Sequence, residues 1–378
     1  MPTLQKRFET LDSLRGICAI MVVCFHVRIL LSFTEYTLFR NSSYFVEFFF
    51  VLSGFVMFHT YGKSQFTRPK LATYLKKRFF RLYPMHILTL GLIILIEFIK
   101  LYAGKKGIVF STLAFSDATA PSELVPNILL LQAWLPNTDS YSFNIVSWSI
   151  SIEFYMYIIL GIFLFAGERI RIFSFLIIVL VTLYLIVIHS SLIKQEVLRG
   201  LSCFFGGCLC YTIYEKTSLE ERPISKLLFT FLEILSIILI IIALTQTIGY
   251  KGVVISFTFC FSVLVFAPGK GAISTIFKLS PFAYLGKLSY SIYILHFIIW
   301  FFLIAFALVV TRITGRQFTV QDHLNHNTRL VTTNNQLIDQ LLLVCILSIV
   351  VILSGFTYRF IEKKGIEWGN KLTKTTKD

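Results

Sequence analysis

Residues 227–247 read LLFTFLEILSIILIIIALTQT. A helix needs about 20 mainly apolar residues to cross the hydrocarbon core of a bilayer, and this run is long enough to do so. Working outward, nine further runs answer the same description: 12–32, 42–61, 82–103, 147–166, 172–193, 198–214, 252–267, 288–310 and 337–357. The stretch 124–134 is too short to span and contains Pro126, so it reads as a re-entrant or interfacial piece. The composition agrees. Of 378 residues, 56% are hydrophobic and only 15% charged, against about 25% charged in soluble domains. An apolar chain with 20 Gly and 9 Pro is neither disordered nor collagen-like. The expected fold is therefore an all-α polytopic membrane bundle of about ten transmembrane helices. It forms one membrane domain over residues 1–378, with 358–378 as a cytoplasmic tail.

The formal net charge is +15. A basic chain can signal nucleic acid, but in a membrane protein Lys and Arg collect in cytoplasmic loops. With ten spans both termini share a side. Placing them in the cytoplasm puts 24 of the 35 Lys and Arg on the inner side and 11 on the outer. The charge is thus explained without nucleic acid. All seven Cys fall within the expected spans, so no disulfide framework is implied. No metal site is expected, since His323 and His326 alone are too small a set. No cleavable signal peptide is evident after the first span.

Ionisable residues inside spans are costly, which makes each a functional candidate. Arg15 and His26 are eleven residues apart in the first span, so they face the same way about 16 Å apart along the axis. Counting inward from the outer ends of their spans, His26, Glu47 and Glu153 reach one depth. A carboxylate beside an imidazole suits a general base, because it fixes the tautomer and stabilises the imidazolium. The plainer alternative is that each is a buried polar tie between helices. On the inner side, Arg78 and Arg81 share a helix face and suit a phosphate, or else anchor on anionic headgroups. Tyr83-Pro84 after them reads as a helix start. Arg199 opens the sixth span and could hold a hydroxyl or snorkel. His296 lies mid-span in the ninth, as a pathway-lining or a packing histidine.

These residues resemble the acyltransferase-3 family of integral membrane O-acyltransferases. The likeness rests on six stretches in order: Arg7–Gly16 with the Arg15 to His26 spacing, Phe48–Phe55, Arg78–Pro84, Ser147–Tyr155, Arg199 before Phe204 and Gly206, and Leu288–His296. It covers most of the chain, which looks like the stand-alone type without a fused periplasmic hydrolase-like domain. Two departures are Glu47, where Asp is common, and a closing segment without the usual Pro. The resemblance implies acyl-CoA, usually acetyl-CoA, as a donor co-substrate from the cytoplasm, with no tightly bound cofactor. It implies a hydroxyl acceptor on a surface polysaccharide, such as lipopolysaccharide, or its lipid-linked sugar precursor. It assigns catalysis to His26, Glu153 and Glu47. The donor would be held by Arg15, Arg78, Arg81 and Tyr83, and the acceptor by Arg199, Trp148, Ser149 and His296. The expected setting is a bacterial cytoplasmic (inner) membrane, with membrane lipids as neighbours; a homo-oligomer is left open. A transporter or flippase of an acyl group or glycan precursor is the competing class, though no inverted repeat is visible.

Overall fold

The computed structural model describes residues 7–64, 66–106, 112–218, 221, 225–322 and 329–374. In chain order its helices are α1 Glu9–His26, α2 Thr37–Arg40, α3 Phe45–Tyr61, α4 Arg68–Lys105, α5 Leu124–Ile128, α6 Trp148–Phe163, α7 Glu168–Val187 and α8 Gln195–Lys216. There follow α9 Lys226–Thr245, α10 Lys251–Phe266, α11 Ala272–Phe277, α12 Ser280–Thr314, α13 Gln336–Thr357 and α14 Lys363–Lys374. The strands β1 Thr319–Gln321 and β2 Arg329–Val331 form an antiparallel hairpin between α12 and α13. The protein is an all-α polytopic helix bundle. Among the described residues eight helical segments are long and apolar enough to cross a membrane by length and composition. Each of the ten expected runs falls on a helix. The two outside the eight are α10, at 16 residues, and α1, which carries Glu9, Asp12 and Arg15 in 18 residues. His323 and His326 lie outside the described residues.

Several boundaries differ from the sequence expectation for physical reasons. Helix α1 stops at His26 rather than running to residue 32. Val27 is already extended, and Ile29 pairs in parallel with Val331 of β2. Arg28 is drawn off into a buried ion network: its guanidinium makes two bonds to Glu35, at 3.0 and 2.7 Å, and one to Asp322 at 2.7 Å. A helical continuation would forfeit these bonds to groups that are costly to bury alone. Helix α4 starts fourteen residues before the expected span. Pro69 takes the first-turn position where a missing N–H costs nothing. Arg78 and Arg81 are therefore helical, and Pro84 lies inside the helix instead of at its start.

The chain forms two compact units. The first comprises Met1–Phe49 and Glu220–Phe356, and the second Phe50–Leu219 and Thr357–Asp378. In the first, α1 packs along α12 at glycines. A Cβ on Gly16 would lie 2.3 Å from the Gly286 nitrogen, and one on Gly286 would lie 2.3 Å from the Asp12 carbonyl. Only hydrogen fits at both positions.

In the second unit, the short α5 turns back after Ile128. Irregular backbone at membrane depth must find partners inside the protein. Four consecutive carbonyls do so through side chains. His86 Nε2 meets Asn127 O at 2.8 Å, Tyr83 and Tyr155 donate to Ile128 O and Leu129 O at 3.1 Å each, and Ser151 donates to Leu130 O at 2.6 Å. This is how α4 and α6 carry the 124–134 segment. Pro84 also leaves the Phe80 carbonyl without its helical donor. Helix α14 packs there through Gly365, where a Cβ would be 2.6 Å from Phe80 O, and through Gly369. Residues 358–374 are thus helical and rest on α4, the first five as a π-helical turn, Tyr358–Glu362.

Candidate active site

The first unit sets Arg15 and His26 against one neighbour. Arg15 Nε donates to Ser289 Oγ at 2.8 Å and Nη2 donates to Gly286 O at 3.2 Å. The His26 ring lies 5.1 Å from the ring of His296, centroid to centroid. Gly16 meets Gly286 and His26 meets His296, each contact ten residues on from the other. The two helices therefore run parallel and in step for about 15 Å. One pair of helices fixes both ends of the Arg15–His26 axis.

His26 is the last residue of α1. Phe25 and Phe297 stand edge-on to its ring at 4.8 and 5.8 Å. The helix end is held by Arg40, whose Nη1 donates to the Phe25 carbonyl at 3.1 Å and whose guanidinium covers the Phe25 ring. That carbonyl is one of those a helix C-terminus leaves unsatisfied. Just beyond, the Arg28 network and the Ile29–Val331 bridge fasten the exit of α1 to the β-hairpin. Glu47 belongs to this unit and is 1% exposed. Its neighbours Phe48 and Phe49 pack on Phe259 and Tyr293, which wedges this end of α3 against α10 and α12.

The second unit gathers Glu153 with hydroxyls and cations. Ser53 Oγ donates to Glu153 Oε1 at 2.7 Å, Tyr157 donates to the same oxygen, and the two hydroxyls lie 2.8 Å apart. Among the described residues Oε2 accepts no hydrogen bond, and the side chain is half-buried. The Arg78 guanidinium stands 5.8 Å over the Tyr157 ring. Arg81 is within electrostatic reach of the Tyr157 hydroxyl. Carboxylate, tyrosine and arginine pair thus form one chain from α6 to α4. Tyr83 is placed differently. Its hydroxyl is bonded to Ile128 O, and its ring stacks on Phe79 at 4.4 Å. Arg199 lies 5.9 Å over the Trp148 ring, while Ser149 donates to Val146 O at the start of its own helix.

Several of these partners escaped the sequence reading. Ser53 and Tyr157 carry no charge, although Tyr157 lies four residues after Glu153 and so on its face. Ser289 sits among serines typical of any span. Arg28 has a signal in the sequence, as a second arginine inside the first apolar run. No three-residue cluster of His, Cys, Asp and Glu fit for a metal occurs among the described residues.

A family model described as an acyltransferase domain matches residues 8–365. The chain belongs to the acyltransferase-3 family. Curated relatives include Acyltransferase MdmB of Streptomyces mycarofaciens, 32% identical over 171 residues, or 42% of this chain and 39% of that protein. Protein 2 in picA locus of Rhizobium radiobacter is 41% identical over 91 residues, or 23% of this chain and 44% of that one. The chain thus matches about two fifths of the length of these relatives. No solved structure matches it. The family match takes in both units of the acyltransferase-3 protein, including every site residue placed above.

Proposed function

We propose that this acyltransferase-3 protein moves an acyl group, most simply acetyl, from acyl-CoA to a hydroxyl of a surface polysaccharide or its lipid-linked precursor. The observation that carries the reading is the Arg15–His26 axis. A guanidinium and an imidazole share one helix face and one neighbouring helix, about 16 Å apart. A long donor with phosphates at one end and a thioester at the other fits such an axis. Arg15 binds the phosphate end; within the second unit, Arg78 and Arg81 are a guanidinium pair of the kind that suits a phosphate bidentately. His26 acts on the acceptor. It takes the proton of the hydroxyl as the oxygen attacks the thioester carbonyl, the C–S bond breaks, and the proton passes to the leaving CoA sulfur. In a second form of the same chemistry, His26 is acylated first and then hands the group on. Glu153 serves as a carboxylate with one oxygen fixed and the other open. Arg199 over Trp148 supplies an aromatic and cationic surface of the kind that holds a sugar. The protein works in the bacterial cytoplasmic membrane, with both termini in the cytoplasm.

Mass analysis of surface glycans from cells with and without the gene tests this. The expected result is loss of one acetyl mass unit from a defined sugar, restored by the wild-type gene and not by His26→Ala. Unchanged glycan masses would overturn the reading. Loss restored equally by His26→Ala would remove His26 from it.

A further inference from the structure

His296 is fully buried, with 0% exposure. Its Nδ1 lies 3.2 Å from the Ile292 carbonyl. A carbonyl oxygen only accepts, so Nδ1 carries the ring proton and Nε2 is left as a bare lone pair. Nε2 has no hydrogen-bond partner among the described residues. A buried acceptor without a donor is costly and uncommon, and so requires an explanation. The ring beside it is His26, 5.1 Å away and tilted by 42°. Two imidazoles joined by one N–H···N bond of about 2.9 Å have centroids about 5 Å apart, so the spacing already fits. Catalytic hydrogen bonds are often poorly aligned before substrate binds.

We propose that His296 is a positioning residue for His26. Its Nε2 accepts the N–H of one His26 nitrogen, which keeps the other nitrogen as the lone pair that meets the acceptor hydroxyl. When His26 takes the hydroxyl proton, the same bond steadies the imidazolium until that proton passes to the CoA sulfur. The Ile292 carbonyl holds His296 in the required tautomer, as a third group orients the second in other base pairs. This places His296 behind His26 instead of against the acceptor, and it rests on the reading of His26 as the base.

The test compares His296→Gln, His296→Asn and His296→Phe, with transfer from labelled acetyl-CoA to the glycan followed in native membrane vesicles. A Gln amide reaches the Nε2 position and an Asn amide only the Nδ1 position. His296→Gln is expected within about tenfold of wild type. Asn and Phe should lose about 100-fold or more in maximal rate, with the acetyl-CoA KM within about twofold. Equal losses in all three, or an unchanged maximal rate, would overturn the proposal. An active His26→Ala would instead overturn the reading on which it rests. A second measurement needs no variant. Leu295-His296 is the sole Leu-His pair in the sequence, so labelling Leu carbonyl carbon and His nitrogen singles out His296 by solid-state NMR in bilayers. The proposal requires a proton on Nδ1, and a proton on Nε2 contradicts it.

Discussion

Glu153 shows how much a single residue's setting decides. Two hydroxyls on one carboxylate oxygen, from Ser53 and Tyr157, lock the side chain's direction, while Oε2 accepts no hydrogen bond among the described residues. A hydrogen bond to a charged group contributes about 1.5–3 kcal/mol. Where that contribution is expressed in the transition state it is worth about tenfold to 100-fold in rate. Tyr157→Phe and Ser53→Ala are therefore each expected to lower the maximal rate of acetyl transfer by about tenfold or more. The double variant should lose less than the product of the two, because both hydroxyls serve the same carboxylate oxygen and lie 2.8 Å apart. Rates measured in vesicles check this, and strictly multiplicative losses would mean the two act apart. At this scale the sequence was half legible. Charges inside spans stood out because they are expensive there, which gave Arg15, His26 and Glu153. The neutral groups that hold them did not, since a serine or tyrosine in a span looks the same whether it packs or positions.

At the scale of elements, glycine sets the spacing that the site needs. Gly16 and Gly286 let α1 and α12 touch backbone to backbone, and from that contact the helices keep step to His26 and His296. Gly286→Leu is expected to cost about 1–3 kcal/mol as overpacking, and to lower transfer as well, because Arg15 donates to the Gly286 carbonyl itself. Gly91→Leu in α4 is the control, since a Cβ there meets nothing within 4 Å. Thermal unfolding in detergent should separate the two variants, and equal midpoints would refute the close-contact argument. Element ends were the least legible part of the sequence, for reasons visible in the structure. Hydropathy follows apolar side chains, so it carried the first span to residue 32. It could not see that Ile29 is claimed by β2 and Arg28 by Glu35 and Asp322. It started the third span at residue 82 because Lys76, Lys77, Arg78 and Arg81 are charged, although they continue the same helix. Pro84 looked like a boundary and is an interior residue, and the Phe80 carbonyl that it frees is the seat of Gly365.

For the whole molecule, apolar runs of bilayer length and the sorting of Lys and Arg were enough to read a polytopic helical bundle. The division into two compact units was not legible, because one boundary falls inside α3, whose pattern is unbroken from Phe45 to Tyr61. The basic character of the chain now has two uses. Part of it is the ordinary bias of membrane loops, and part, at Arg15, is proposed to meet the phosphates of the donor. We propose that this chain joins acyl-CoA to a glycan hydroxyl through His26. The most direct measurement is release of free CoA thiol by the purified full-length protein in liposomes, given acetyl-CoA with and without the native cell's surface glycan. The account predicts thiol release that depends on the glycan and is lost in His26→Ala; no release from the wild type, or equal release from His26→Ala, would contradict it.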